Sequence, residues 1–367
     1  MPVRVGEREI VYNALKGRIG RTQSPAERKE LMRAYIDFTL NEIVPLRLKV
    51  AREKRSYLGK FGFNEVSFFK LWETTFHRIS EYCEWILSAT DKLFSELWRE
   101  HAERMKVDLP ATLGDYLFLW YRIPTVKLKT DPYEFILSKL KRMGIPTEEI
   151  TFDFTDIPTK PAGAWCITLP EGVYICGKLY GTASDSRRVL HEAGHAVVHL
   201  MTDKKLPPPF IYWGSDSSSE CGAFLFEKIL QDPKELERIS YKPEKLSKYL
   251  FLSNLLLMRS QVAHFLRALE WIKWLSGGTR PVDRIKEIYS RTVLLKLTDD
   301  EITTTFTTNL YPGVYTIAWI ASSTLNDYLR RGVQVNWWNS SGVVDVLRHT
   351  FRYGRLYPAD IMLNRNL

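Results

Sequence analysis

The sequence predicts a mainly α fold, helical and two-lobed, with a small antiparallel sheet beside one central helix. Three observations predict it. Between residues 24 and 106 apolar residues recur at helical spacing, as in Phe68, Leu71, Trp72 and Phe76, then Ile79, Cys83 and Ile86. One region, 150–180, has a different texture: the β-prone runs 164–169 and 173–176 flank Pro170-Glu171-Gly172 and read as a hairpin. From residue 184 helical spacing returns, interrupted by loops at Pro207-Pro208-Pro209 and Gly277-Gly278.

Taken in chain order, residues 1–150 form the expected helical lobe and 151–367 the lobe that carries the candidate site, the two making one continuous globular unit. The net charge is +9, and the first 60 residues hold fourteen Lys or Arg against seven Asp or Glu. The densest part, Arg47 to Arg55, carries apolar residues at helical spacing and reads as the solvated face of an amphipathic helix. No nucleic-acid-binding motif accompanies it, so nucleic acid is not an expected partner. Asp131-Pro132 opens and Gly144-Ile145-Pro146 closes a helix over 133–143.

With 45% hydrophobic and 26% charged residues, the chain has the composition of a soluble globular protein with a substantial core. Its longest apolar-rich stretch, residues 249–258, is well short of the roughly 20 residues a membrane span needs. The amino-terminal run alternates charged and apolar residues, unlike a secretory signal, and the expected location is cytoplasmic. The four cysteines, Cys83, Cys166, Cys176 and Cys221, form no CxxC pair. If Leu169 pairs with Val173, Cys166 and Cys176 stand opposite each other; two free thiols are the expectation in a reducing compartment, a cross-strand disulfide the alternative.

The chemistry concentrates in His191-Glu192-Ala193-Gly194-His195, within an apolar segment expected to be a buried helix starting near Ser184 or Asp185. Residues four apart share a helix face, so both imidazoles reach one metal ion, while Glu192 sits beside them to take a proton from a bound water. A catalytic zinc needs a third protein ligand. Glu220, 25 residues after His195, follows the helix-start cluster Ser217-Ser218-Ser219 and opens an apolar helix. Glu227, two turns further on the same face, is either an acceptor for a ligand imidazole or a surface glutamate.

The run from His191 to Glu227 resembles the zinc site of the thimet oligopeptidase and oligoendopeptidase F family, where a Gly precedes the second His and the ligand Glu begins a second helix. It is also similar to the related carboxypeptidase Taq family. Lys160-Pro161-Ala162-Gly163-Ala164-Trp165-Cys166 resembles the oligopeptidase edge strand that lines the cleft, and Tyr180-Gly181-Thr182 resembles the Gly-Thr before the zinc helix. Arg52 with Leu58-Gly59, and the segment 347–360, resemble outlying signatures of these families. The resemblance implies a zincin-type metallopeptidase with one zinc per chain, a peptide as substrate and Glu192 as general base. It also implies that Gly163, Ala164 and Trp165 bind the substrate backbone by strand addition.

Both families place a His and one or two Tyr late in the chain to stabilise the oxyanion. Here Tyr311-Pro312-Gly313-Val314-Tyr315 falls on the tyrosine motif, which makes Tyr311 and Tyr315 the matching donors, and the same register puts Thr303 where the family has its His. Two aromatic residues at this spacing also fit simple helix packing. The replacement leaves three readings: an enzyme using tyrosine alone, another residue such as His349 filling the place, or a zinc hydrolase with a different substrate. A non-catalytic binding protein that keeps the fold is the remaining alternative.

Overall fold

Helix boundaries fall where the sequence supplies caps. The structure, a computed structural model, describes residues 1–366 apart from 7, 74–75, 124–125, 158–159 and 161–162. Ser24 caps the helix Pro25–Phe38, its hydroxyl accepting from the Glu27 N–H, with Pro25 in the first turn where no N–H is needed. Asp131 caps Pro132–Arg142 in the same way, accepting from Tyr133 and Glu134, and Gly144 ends that helix at φ +75°.

The apolar run 68–86 is not one helix. The helix Glu65–Phe69 stops, residues 70–72 form a turn, and a long helix begins at Phe76. The reason is burial: Phe68 and Leu71 are exposed while Ile79, Cys83 and Ile86 are buried, so no single apolar stripe connects them. An element missing from the sequence reading is the hairpin of β1 (Pro2–Val5) and β2 (Arg8–Val11), which turns through Gly6 at φ +58°. Its inward residues Val3, Val5 and Ile10 pack with Leu15, Ile19 and Leu31. The signal was present as period-2 alternation, read there only as a charge pattern.

The expected hairpin forms from β4 (Gly163–Leu169) and β5 (Gly172–Lys178), and β3 (Ile150–Asp153) joins it in parallel on the far side of β5, giving the order β3-β5-β4. The sheet is therefore mixed, with β4 at its edge. Its register differs by one residue from the expected one: Leu169 pairs with Gly172, because only Pro170 and Glu171 form the turn. That slip sets Trp165 opposite Cys176 and Cys166 opposite Ile175, and all four cysteines are free thiols.

The chain divides into two compact units, the first Met1–Phe69, Cys83–Pro124 and Leu252–Gly313, the second Lys70–Tyr82, Thr125–Phe251 and Val314–Leu367. The lobes 1–150 and 151–367 are stretches of chain; the compact units draw segments from both. Trp98, Phe94 and Phe265 anchor the core of the first unit, and Phe226, Trp337 and Phe351 that of the second. Among the described residues no helix is long and apolar enough to cross a membrane.

Candidate metal centre

The first metal-facing helix is Ala183–Met201. Gly181, at φ +70°, turns the chain into it, and the Asp185 carboxylate accepts the N–H groups of Tyr180 at 2.9 Å and Thr182 at 2.8 Å. These bonds fix the entry of the chain and place negative charge at the positive end of the helix. The starting point matches the one read from sequence. One turn apart on this helix, His191 and His195 bring their ring centroids to 4.9 Å.

The second helix is Asp216–Glu227, preceded by Ser215. Sequence placed its start in the serine cluster 217–219; those serines instead occupy its first turn, and Glu220 lies in the second. The difference comes from Glu73, a buried carboxylate that accepts from the Ser215 hydroxyl at 2.8 Å, the Ser217 hydroxyl at 2.8 Å and the Ser217 N–H at 3.2 Å. Burial pushes the Glu73 carboxyl up to about 7, against the lowering effect of those serine bonds.

Two glycines let the helices meet. A Cβ on Gly194 would lie 2.4 Å from the Gly222 carbonyl oxygen and 2.5 Å from the Ala223 Cα, and one on Gly222 would lie 2.2 Å from a Val198 methyl. Backbone therefore packs on backbone at this crossing, which brings Glu220 within reach of both imidazoles. The glycine before the second histidine thus has a steric reason.

Glu220 Oε2 lies 3.3 Å from His191 Nε2 and 3.7 Å from His195 Nε2. Donors about 2.0–2.2 Å from a tetrahedral ion stand about 3.3–3.6 Å apart; the Glu220–His191 separation has that spacing, and all three donor atoms lie within 4.8 Å of one another. The far nitrogen of each imidazole is engaged: His191 Nδ1–H donates to Glu227 Oε1 at 2.8 Å, and His195 Nδ1 shares a hydrogen bond with the Ser219 hydroxyl at 2.8 Å. Such bonds orient the rings and leave Nε2 to face the cage. Arg187 steadies Glu227 from behind at 3.5 Å. Glu227 thus takes the role of imidazole acceptor rather than that of a surface glutamate.

The electrostatics also call for a cation. Burial lowers the affinity of His191 for its second proton, yet Glu220 and Glu227 overcome that and push it up to about 10; His195, buried with less help, falls to about 4. The proton on His191 answers the same carboxylate field that a divalent ion would satisfy. These residues, two oriented imidazoles and a buried carboxylate, fit a divalent metal ion.

Glu192, on the same helix as the two imidazoles, lies next to this cage and against the edge strand. Its Oε2 accepts the Cys166 N–H at 2.7 Å. Burial raises its carboxyl to about 7, with Glu220 and Glu227 adding to the rise and His191 and the Cys166 N–H opposing it. Because Cys166 turns its N–H away from β5, Ala164, two residues earlier, presents its backbone on the same open edge. Gly163 begins the strand at φ +138°, and Trp165 is exposed. Pro161 and Ala162, part of the motif read from sequence, lie outside the described residues.

The late tyrosines divide between the units. Tyr315, in the second, sets its ring 5.7 Å from Phe224, whose ring is 5.3 Å from His191. Burial, then Glu220 and Glu192, raise its hydroxyl above the usual phenol range, so it stays protonated and able to donate. Tyr311, in the first unit, opens the helix Tyr311–Gly332 with its N–H on Asn309 Oδ1 at 3.0 Å. Thr303, also in the first unit, donates its hydroxyl to the Asp299 carbonyl at 2.8 Å and accepts from Arg280. His349 is exposed on the helix Val343–Phe351. Sequence reasoning missed Ser219, Arg187, Glu73 and the Cys166 N–H; of these only Ser219, directly before the candidate ligand, carried a local signal.

Fold and site together define a class: the mainly helical fold shared by solved oligoendopeptidase F and M32 carboxypeptidase structures, as the sequence resemblance implied. A Bacillus anthracis str. Ames protein assigned as an oligoendopeptidase F matches with a TM-score of 0.67 and 17% identity, over 100% of this chain and 67% of that one. PZ peptidase A, solved with an inhibitor, matches at 0.68 and 15% over 98% and 68%, and the M32 carboxypeptidase from Deinococcus radiodurans R1 at 0.56 and 16% over 97% and 74%. No protein-family model matches the chain, and no curated protein sequence does.

Proposed function

We propose that this protein is a zinc metallopeptidase that hydrolyses peptide bonds of oligopeptides, with one zinc per chain held by His191, His195 and Glu220. The observation that carries the reading is the convergence of those three donors beside Glu192 on a fold found among peptidases. Zinc, when bound there, supplies Lewis-acid polarisation of the scissile carbonyl and acidifies its water. Glu192 takes the proton of the attacking water and hands it to the leaving amine, a task suited to a carboxyl whose pKa lies near the working pH. The substrate backbone adds to the open edge of β4 along Gly163, Ala164 and Trp165, and in doing so competes for the Cys166 N–H that Glu192 holds in its absence. Tyr315 and Tyr311 are the proposed oxyanion donors. Free thiols throughout suit the cytoplasmic location read from the sequence.

The deciding experiment is Glu192→Gln. The variant should keep its zinc and lose about 10²–10⁴-fold in peptide cleavage; undiminished cleavage would rule the mechanism out. A second reading, a zinc hydrolase of another substrate class, is favoured by Thr303, whose hydroxyl is engaged with Asp299 and Arg280. It predicts a zinc-loaded protein that cleaves no member of a varied peptide library.

A further inference from the structure

We propose that the first unit holds a binding site for a phosphate-bearing small molecule with a flat apolar body, in a cavity of ≈ 610 Å³ that shares no residue with the metal centre. The cavity lies among the helices Tyr12–Arg21, Leu113–Tyr121, Pro243–Leu275 and Val282–Val293, and residues 304–307 close one side. Its volume is that of a small-molecule site and far exceeds what a bare inorganic anion fills.

Charge is the first argument. Lys16, Arg47 and Arg267 all line the space, and the described lining residues include no Asp or Glu. Nor does any of the three make an ion pair among the described residues. Their contacts are to neutral groups: Lys16 Nζ lies 5.2 Å from the centre of the Tyr35 ring, Arg47 donates to the Thr304 carbonyl at 3.0 Å, and Arg267 donates to the Tyr289 hydroxyl. Arg267 Nε is buried with no acceptor. Arg267 is half-buried while Lys16 and Arg47 reach solvent, and three cations without an acidic partner around one space leave a positive field that an anion would neutralise.

The groups respond to that shared field. Burial lowers the Lys16 pKa, and Arg47 and Arg267 lower it further. His264, on the same wall, is driven down to about 3 by burial and then by Arg267 and Lys16, so it stays neutral and offers a hydrogen bond without adding charge.

The walls supply the second argument. Tyr35, Tyr116, Trp120 and Tyr121 line the cavity, with Tyr116 and Trp120 rings 6.1 Å apart, and the Ser260 hydroxyl and Gln261 amide provide neutral polar contacts. Aromatic faces accept a planar body by stacking. Three converging cations suit an oxyanion of charge near −2 with three acceptor oxygens better than a single carboxylate, and guanidinium groups bind such oxygens in pairs. A nucleoside monophosphate meets each requirement; an aromatic dicarboxylate shares the charge and the flat body but not the geometry at one centre.

The test uses the full chain loaded with zinc and needs no peptide cleavage, so its result is separate from that of the proposed peptidase activity. Calorimetric titration with AMP should show saturable binding that weakens as salt rises, with adenosine and phthalate at least about tenfold weaker. Lys16→Met and Arg267→Met should each weaken AMP binding about tenfold or more while thermal melting confirms a folded protein, and exposed Arg348→Met should leave it unchanged. If either cavity variant fails to fold, Arg47→Gln takes its place. The proposal is overturned if AMP does not bind at millimolar concentration, if phthalate or adenosine binds as well as AMP, or if folded cavity variants bind AMP as the parent does.

Discussion

His191 and His195 each spend one ring nitrogen on a neighbour, Glu227 and Ser219, and that use of Nδ1 directs Nε2 at Glu220. Removing such a bond leaves the ligand in place but frees its ring to turn. Glu227→Gln is therefore expected to weaken zinc binding by about 10–100-fold, and Ser219→Ala by an amount toward the lower end of that range, measured by competition with a chromophoric chelator. Unchanged affinity in both would mean that the rings are held by packing alone. His191, Glu192 and His195 could be picked out from residue type and spacing, because a helix makes contact at i and i+4 a local property, and Glu220 from its place after the serine cluster that opens the next helix. The partners of their far nitrogens were less legible, since each bond spans 24 or 36 residues and depends on how two helices cross.

The crossing is a property of the helices as elements. Gly194 and Gly222 remove the side chains that would hold Ala183–Met201 and Asp216–Glu227 apart. In Gly194→Ala the new methyl would meet backbone atoms, which cannot rotate aside, and the helices would have to separate. Expected is a loss of about 1–3 kcal/mol in stability together with weakened zinc retention, read by denaturant unfolding and metal analysis. An alanine variant with parental stability and full zinc content would show that the contact is slack. The sheet teaches a related lesson: alternation and a turn signal located β4 and β5, but pairing through a two-residue turn shifted the register by one and separated Cys166 from Cys176. Likewise β3 joins in parallel, a pairing that periodicity within its own four residues cannot announce.

At the scale of the molecule, Glu73 shows how distant chain segments set a titration and hence a stability. Its carboxyl sits at about 7 in the fold against an ordinary 4.5, because burial outweighs its bonds to Ser215 and Ser217. Below the ordinary value it is protonated both folded and unfolded. Between about 4.5 and 7 the folded protein holds a proton that the unfolded chain releases, so stability falls as pH rises through this window, by up to about 3 kcal/mol. Urea unfolding at pH 5 and pH 8 should show the fall, and Glu73→Gln should flatten it; equal slopes in parent and variant would assign the effect elsewhere. By itself the sequence determined the helical class, the hairpin, the helix opened at Asp131-Pro132 and the His191-Glu192-His195 run, all of which depend on residues within a few turns of each other. Tertiary structure alone decided the start of the Glu220 helix, the register of β4, the partners of the two imidazoles and the gathering of Lys16, Arg47 and Arg267 around one cavity. These rest on burial and on contacts between residues far apart in the chain, whose energies no local pattern records.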